Sequence, residues 1–317
     1  MASEFSLIQK YFNQTSSQVD LSIGDDAALF RVKSGYQVAI STDMLVAGTH
    51  FFEDCAPYYI GWKSLAVNVS DMAAMGAKPK WATLAIALPE VNEAWLAEFS
   101  RGFFACAEAF NVDLIGGDTT HGPLNISVTI MGEVETGKAL VRSGAKAGDD
   151  IWISGVLGNA ALGLQCLLKN IDLTEAEQEI CLQDLYMPQP RVSLGLALSG
   201  LATSCIDVSD GLLADLSHIL SASKLGADIH LDQVACLPTM KHRLQEAIVK
   251  QAVLAGGDDY ELCFTTPAKN SSAIQSLNEQ LSFPLTCIGK VTKDSTLHVF
   301  YEKQPLAINT LGYDHFA

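Results

Sequence analysis

Aspartates recur along this chain beside glycine, serine or threonine, and most of them follow a short apolar run. Carboxylate and hydroxyl oxygens are the hard ligands that Mg²⁺ prefers, and enzymes commonly share Mg²⁺ between a few carboxylates and the phosphates of a substrate. The pattern therefore favours metal-assisted chemistry on phosphate groups. The aspartates concerned are Asp25, Asp26, Asp43, Asp71, Asp118, Asp207, Asp210, Asp258 and Asp259.

A single acidic turn is weak support for a metal site, because aspartate is also common at helix N-termini and in turns. Recurrence along the chain strengthens the metal interpretation. Carboxylates gathered at one place repel each other unless a cation lies between them. If these segments converge in the fold, we expect more than one metal ion. The alternative from another class is a non-catalytic protein that binds Ca²⁺ through these turns, although the chain has no DxDxDG loop.

The stretch 22–50 is the one around which the predicted elements are arranged. It predicts two short strands, and the second, over 38–40, ends at Ser41, Thr42 and Asp43, which places oxygen ligands at a strand terminus. A helix over 58–75 carries Asp71. Further patterns predict an opening helix over 5–12, strands over 81–88 and 125–134, and a helix over 93–110. The first 135 residues thus predict a sheet with helices to one side, an α/β or α+β layer.

A glycine-rich and charged passage over 142–149 marks a boundary, and we expect domains at 1–137 and 148–317. The second half predicts strands over 151–154, 285–291 and 297–301, with a helix around 240–254. Between them lie two acidic segments, DVSDGL from Asp207 and GGDDYEL from Gly256.

Composition excludes several classes of function. The 317 residues carry 20 Lys and Arg against 36 Asp and Glu, a net charge of −16, which argues against a general nucleic-acid binder. The eight cysteines form no CxxC pair and are interpreted as thiols in a reducing compartment. Neither a signal peptide nor an apolar run of membrane-spanning length is visible, so we expect a soluble, cytoplasmic protein that does not act on membranes.

The common phosphate-binding signatures are missing. The frame GxxxxGK occurs over 132–138, but Ala139 stands where Mg²⁺ needs a hydroxyl, and Glu133 and Glu135 would repel phosphate. Protein-kinase motifs are also missing. Backbone amides at 116–117 and 155–158 remain candidates for cradling phosphate. His50 and Arg142 are candidate phosphate contacts, although His50 is equally compatible with an ordinary loop histidine and a single arginine in a linker is weak support.

The ordered set of motifs resembles the bacterial thiamine-monophosphate kinase family. The motifs are GDDAA, STDML followed by His50, NVSDMAAMGAKP, LIGGDTT, VRSGAKAGD, DVSDGL, GGDDYEL and the terminal GYDHF. The resemblance spans nearly the whole chain and implies the two-domain aminoimidazole ribonucleotide synthetase-like fold. In that fold the N-terminal sheet pairs with that of a second subunit in a homodimer, and ATP binds in the cleft between the domains.

The resemblance also implies ATP-dependent phosphorylation of thiamine phosphate to thiamine diphosphate, with several Mg²⁺ ions. This chain departs from the family pattern at Asp258, where the family more often has glutamate. The implied metal ligands are Asp26, Ser41, Thr42, Asp43, Asp71, Asp118, Asp207 and Asp210. The implied ATP contacts are Gly117, Asp118, Arg142 and Ser209, and the implied substrate contacts are His50, Asp258 and Tyr313.

We expect direct in-line transfer to the substrate phosphate, which is already ionised near neutral pH and needs no general base. Such a site would be rich in metal ligands and poor in histidine. The nearest rivals are other ATP enzymes of the superfamily. The chain lacks the reactive N-terminal cysteine of selenophosphate synthetase and the C-terminal cysteine of the hydrogenase maturation protein, and STDML and GYDHF disfavour aminoimidazole ribonucleotide synthetase.

Overall fold

The computed structural model describes residues 4–14, 16, 18–308 and 310–313. Contacts divide the chain into two compact units. The first contains the described residues up to Met72 together with Ala77–Gly137, and the second contains Ala73–Gly76 and the described residues from Lys138 onward. The predicted α/β class with two layered domains is confirmed, whereas the roles expected of segments 1–137 and 148–317 remain predictions.

Within the described residues, the first unit contains a mixed sheet with the strand order β1-β4-β2-β3. Strands β2 and β3 run parallel, and the other neighbours are antiparallel. Its strands are β1 (Tyr36–Val46), β2 (Lys78–Leu88), β3 (Asp113–His121) and β4 (Asn125–Glu135). Its helices are α1 (Glu4–Leu7), which continues as a π-helical turn over Ile8–Phe12, α2 (Pro57–Ala74) and α3 (Glu93–Phe110).

One face of this sheet is covered by α2. The alternating residues Ile126, Val128 and Ile130 of β4 are fully buried on this face. A Cβ at Gly132 would meet the Met72 sulfur of α2, so the helix lies close to the strand. Helices α2 and α3 also pack tightly, since a Cβ at Gly61 would meet the backbone of α3.

The opposite face is only partly covered. At one end, Phe30 stacks on Trp81 with ring centroids 4.3 Å apart, and the Trp81 indole donates to the Gln18 carbonyl at 3.2 Å. Further along the same face, Ile40 and Met44 of β1 are 65% and 54% exposed. The first unit therefore presents an open sheet face with exposed apolar side chains.

The second unit contains a larger sheet, with the order β11-β10-β7-β9-β5-β8-β6 among the described strands. The strand β5 lies centrally and alternates between two cores: Ile151 and Ile153 enter one, and Trp152 enters the other. The strands are β5 (Asp150–Ser154), β6 (Ser204–Asp207), β7 (Gly226–His230), β8 (Leu262–Thr266), β9 (Leu285–Thr292), β10 (Leu297–Tyr301) and β11 (Gln304–Leu306). The helices are α4 (Asn159–Leu167), α5 (Glu175–Tyr186), α6 (Val192–Ala197), α7 (Leu212–Ser223), α8 (Ala247–Ala255) and α9 (Ser271–Asn278), with 3₁₀ turns at Leu231–Gln233, Pro238–Arg243 and Ala268–Asn270.

The stretch 22–50 differs from its prediction in two ways. The first expected strand is wrong, because the segment folds back on itself through isolated bridges such as Leu21 to Leu29 instead of joining a ladder. The second strand continues through Ser41, Thr42 and Asp43 to Val46, since β4 offers a hydrogen-bonding partner along its whole length. The oxygen ligands therefore lie inside β1 and not at its end.

Candidate functional site

A cluster of oxygen ligands joins β1 to α2 in the first unit. Ser41 and Asp43 are alternate residues of β1 and so share one face of the strand. The Ser41 hydroxyl donates a hydrogen bond to the Asp71 carboxylate of α2, and both side chains are half-buried. The structure therefore brings together three of the predicted metal ligands, Ser41, Asp43 and Asp71, on the helix-covered side of the sheet.

Asn68 positions this cluster and was not among the predicted site residues. It lies one helical turn before Asp71 and is fully buried. Its side-chain oxygen accepts the backbone N–H of Asp43 at 3.2 Å, while its amide donates to the Ser64 carbonyl at 3.0 Å. The sequence signal was a polar residue within a largely apolar helix, three positions before an aspartate, because such a residue is costly to bury unless it is hydrogen-bonded.

Thr42 and Asp118 lie on the open face of the sheet, away from Asp43 and Asp71. The strand registers align Asp43 with Gly117 across the sheet, so these two positions face the same side. Because side chains alternate along a strand, the next residue, Asp118, points to the opposite face, and it is exposed. Three strand spacings separate the two edges, or roughly 14 Å. The Thr42 hydroxyl hydrogen-bonds that of Thr129 at 2.8 Å on the open face. Their assignment as metal ligands stays a prediction.

His50 lies in the turn that follows β1, and Asp26 lies in the folded-back segment before it. The Val46 N–H donates to His50 Nδ1 at 3.0 Å. In the neutral imidazole the proton is therefore on Nε2, which makes that atom a donor suited to a phosphate oxygen. Asp26 is exposed, and its backbone N–H donates to the Asp25 carboxylate at 2.9 Å.

In the second unit, the loop after β6 is fixed from inside by Asp215. This residue lies in the first turn of α7, is 3% exposed, and accepts the backbone N–H groups of Ser209, Asp210 and Gly211 at 3.0, 3.0 and 3.2 Å. Because the carboxylate occupies these amides, the loop is not an open anion cradle. What it offers a ligand is the oxygen atoms of the half-buried Ser209 and Asp210 side chains, and Asp207 lies buried at the end of β6, just before the loop.

Two further predicted segments attach to this loop. The Asp258 N–H donates to the Ser209 carbonyl at 2.8 Å, and the Tyr313 N–H donates to the Asp210 carbonyl at 3.0 Å. The Tyr313 residue is 53% exposed. The structure places side by side four residues from sequence segments that lie as much as 104 positions apart: Ser209, Asp210, Asp258 and Tyr313. Residues 314–316 of the terminal GYDHF motif lie outside the described residues.

Arg142 lies beside β6, the strand that precedes this loop. The preceding carbonyl, that of Val141, accepts the N–H of Cys205 in β6 at 3.0 Å, so the segment runs along the edge strand that ends at Asp207. The Arg142 side chain is exposed. Its position is compatible with a contact to an anionic ligand near the end of β6.

The prediction that the backbone amides of residues 155–158 could bind phosphate is wrong. The Gly155 N–H donates to the Pro284 carbonyl at 2.8 Å, and the Leu157 N–H donates to the Ala235 carbonyl at 2.9 Å. The Gly158 N–H donates to both oxygens of the Asp259 carboxyl, at 2.9 and 3.0 Å. These three amides are occupied by acceptors within the fold, so the segment is not an open cradle for phosphate.

Comparison with known proteins decides the family. The model of AIR synthase related protein, N-terminal domain, matches residues 24–134, and that of the C-terminal domain matches residues 146–302. Thiamine-monophosphate kinase from Escherichia coli O157:H7 is 46% identical over 322 residues, which cover 99% of this chain and 98% of the relative. The chain belongs to the thiamine-monophosphate kinase family.

Solved structures of thiamine-monophosphate kinases share this fold. The crystal structure of the enzyme from Stenotrophomonas maltophilia K279a has a TM-score of 0.85 at 44% identity, covering 92% of this chain and 93% of the other. The structure of AaThiL complexed with AMPPCP and TMP has a TM-score of 0.78 at 30% identity, covering 93% of this chain and 92% of the other. The predicted two-domain fold and the resemblance are thereby confirmed, whereas pairing of two subunits remains a prediction.

Around the second-unit loop of this thiamine-monophosphate kinase family member, several carboxyl groups are buried. Burial raises the pKa of Asp215 to about 6, against the lowering effect of its backbone donors. Burial likewise raises the pKa of Asp184, and it raises that of Asp259 well above the ordinary range. Glu261 is paired instead: the Arg191 guanidinium contacts both of its oxygens, with Nε 2.7 Å from Oε2.

The donor chemistry of the two clusters fits magnesium. Ser41, Asp43 and Asp71 in the first unit, and Asp207 and Asp210 in the second, offer only oxygen atoms, as Mg²⁺ prefers. Among the described residues, no group of three or more His, Cys, Asp or Glu side chains is arranged to hold a metal ion by itself. Mg²⁺ commonly completes its coordination with water and substrate phosphates, so a few carboxylates per ion suffice.

Proposed function

We propose that this chain transfers the γ-phosphoryl group of ATP directly to thiamine phosphate, forming thiamine diphosphate and ADP in thiamine diphosphate biosynthesis. It is then a phosphotransferase whose acceptor is itself a phosphate group. Membership of the thiamine-monophosphate kinase family and the AaThiL complex with AMPPCP, an ATP analogue, and TMP support the reaction. The observation that carries the proposal is the convergence of Ser209, Asp210, Asp258 and Tyr313 around one loop.

The charge of the reactants determines which of these residues can bind metal and which can bind substrate. Both reactants are anions, so a carboxylate near their phosphates is useful only with a cation between them. We assign Asp26, Ser41, Thr42, Asp43, Asp71, Asp118, Asp207 and Asp210 as the ligands of several Mg²⁺ ions. Magnesium supplies charge neutralisation and alignment of the phosphate oxygens.

The other predicted site residues, together with Asp118, hold the two substrates. Gly117, Asp118, Arg142 and Ser209 are assigned to ATP, and His50, Asp258 and Tyr313 to thiamine phosphate. His50 offers Nε2–H to a phosphate oxygen because Nδ1 is occupied by the Val46 amide. The ionised substrate phosphate is the nucleophile and requires no general base, so we name no residue as a proton acceptor.

We further propose a cytoplasmic homodimer that pairs the open sheet faces of two copies. The exposed side chains of Ile40 and Met44 form an apolar surface that a second sheet would cover. Thr42 and Asp118 lie on the same face, so pairing would bring both to the interface. The eight unpaired cysteines suit a reducing compartment. No helix within the described residues is long and apolar enough to cross a membrane.

A coupled assay of ADP release tests the reaction. The enzyme is incubated with ATP and Mg²⁺ and with thiamine phosphate, thiamine or no acceptor. We expect ADP release only with thiamine phosphate, and thiamine diphosphate as the co-product. Release with thiamine and not with its phosphate would overturn the acceptor assignment. Calorimetry that shows Ca²⁺ binding without nucleotide binding would favour the non-catalytic alternative.

A further inference from the structure

The segment 256–260 contains two non-glycine residues in the left-handed region of backbone conformation. Asp258 has φ +69° and Tyr260 has φ +50°. Aspartate tolerates this region comparatively well, but a bulky aromatic residue rarely occupies it. Strained backbone of this kind persists only where the surroundings hold it, and it clusters at functional sites.

Hydrogen bonds to the loop after β6 hold both residues. The Asp258 N–H donates to the Ser209 carbonyl and the Tyr260 N–H donates to the Val208 carbonyl, each at 2.8 Å. In return, the Val208 N–H donates to the Glu261 carbonyl at 2.8 Å. The strained segment is thus a rigid extension of the loop that carries Ser209 and Asp210.

The left-handed backbone turns the Tyr260 ring toward the side chain two residues before it. The Tyr260 hydroxyl donates to Asp258 Oδ1 at 3.0 Å. Asp258 is half-buried, and aspartate has a short side chain whose direction a single partner can fix. A fixed donor restricts the rotamers of the short carboxylate and so fixes the direction in which it faces a ligand.

We propose that Tyr260 is a positioning residue, which holds the Asp258 carboxylate against the flat, cationic organic end of thiamine phosphate. This inference rests on the proposed function and adds a residue to it. An anionic carboxylate attracts a positively charged ring, accepts hydrogen bonds from an amino group and repels phosphate. The exposed residue Tyr313 is hydrogen-bonded through its backbone to Asp210, and Asp258 is hydrogen-bonded in the same way to Ser209. Asp258 and Tyr313 are therefore bound to adjacent residues of the loop. A carboxylate beside an aromatic ring suits a flat organic cation.

Kinetics of the Tyr260→Phe enzyme test this role. Loss of one hydrogen bond is expected to raise KM for thiamine phosphate about five- to tenfold, with kcat and the KM for ATP within about twofold of wild type. Tyr301→Phe is the matched control. Tyr301 is partly buried on β10, five places from β6 in the strand order, and its replacement is expected to change neither KM.

A double-mutant cycle separates positioning from a general structural role. In the Asp258→Ala background, adding Tyr260→Phe is expected to leave KM for thiamine phosphate unchanged, because the hydroxyl no longer has a carboxylate to orient. A structural role would instead lower the melting temperature and raise both KM values whether or not Asp258 is present.

Tyr260→Asn supplies a second variant should Tyr260→Phe fail to fold. Asparagine tolerates the left-handed backbone and lacks the phenol, so we expect the same rise in KM for thiamine phosphate. A wild-type KM in either folded variant would overturn the positioning role while leaving the kinase function intact. A wild-type enzyme that shows no ADP release dependent on thiamine phosphate would overturn the proposed function itself.

Discussion

Replacing Glu261 by glutamine should destabilise the second unit strongly, because it breaks a buried ion pair. The Glu261 side chain is 5% exposed and that of Arg191 is 20% exposed. The guanidinium contacts both carboxylate oxygens and also lies over the Phe283 ring, 4.1 Å from its centroid. The Ser154 hydroxyl donates to Oε2 at 2.5 Å. Glu261→Gln keeps the shape of the side chain and leaves the arginine charge without its counter-ion.

Removing one partner of a buried pair typically costs about 3–5 kcal/mol, and we expect the lower end because Arg191 is partly exposed. In urea unfolding followed by circular dichroism, the midpoint should fall by about 1 M. Peptide-resolved hydrogen exchange should assign the loss to the second unit, including β8, which follows Glu261 directly.

Glu98→Gln is the matched control. Glu98 pairs with Arg101 through the same two-point geometry, but the side chains are 50% and 60% exposed. An exposed pair contributes little to stability, so this variant should leave the urea midpoint unchanged. Equal midpoints for Glu98→Gln and Glu261→Gln would refute the reasoning that burial gives the second-unit pair its effect.

Other variants test the site directly. Asp43→Asn and Asp118→Asn should each lower kcat by at least about a hundredfold while the melting temperature stays near that of wild type, and wild-type turnover in the ADP assay would remove the residue from the site. Asp172→Asn, at an exposed position outside the proposed site, is the control for both. Chelation by EDTA should abolish ADP release, and excess Mg²⁺ should restore it; activity that survives chelation would contradict the metal assignment. Burial raises the pKa of Asp259 above its ordinary 3.8, so the stability that this carboxyl contributes is complete below about pH 4 and is lost as pH rises through the raised pKa. Asp259→Asn should therefore gain stability relative to wild type from about pH 4 upward in urea midpoints, and a difference independent of pH would contradict this.

Local signals in the sequence were sufficient to predict the bounds of a helix whose capping residues lie directly beside it. The helix predicted over 93–110 has those bounds in the structure. Its start is fixed by the Asn92 side chain, which accepts the Trp95 N–H, and its end by Asn111 in a left-handed conformation. Both caps are determined by residues next to the helix, which is why a single sequence predicts them.

The face on which a site residue lies was not predictable in the same way. A β-bulge shifts the register between β2 and β3, so that Leu114 pairs with Ala82 but Gly116 pairs with Thr83. Because side chains alternate along a strand, one extra residue reverses the face of everything beyond it. Asp118 follows this bulge and faces the open side of the sheet. Nothing local to the LIGGDTT motif distinguishes the two registers.

The second-unit site required long-range information of another kind. The motifs around Asp210, Asp258 and Tyr313 suggested ligands individually, but their adjacency depends on backbone hydrogen bonds between distant segments. The roles of Asp215 and Tyr260 follow from a buried carboxylate under three amides and from a left-handed φ. Neither property has a pattern in sequence that separates it from an ordinary helix start or turn.

The stereochemical course of the transfer is the most direct test of direct phosphorylation of thiamine phosphate. The enzyme is supplied with thiamine phosphate, Mg²⁺ and ATP that is chiral at the γ-phosphorus through oxygen isotopes, and the product is analysed by ³¹P NMR. Direct in-line transfer predicts that the label appears in the terminal phosphate of thiamine diphosphate with inverted configuration. Retained configuration, or label released only as inorganic phosphate, would contradict direct transfer between the two substrates.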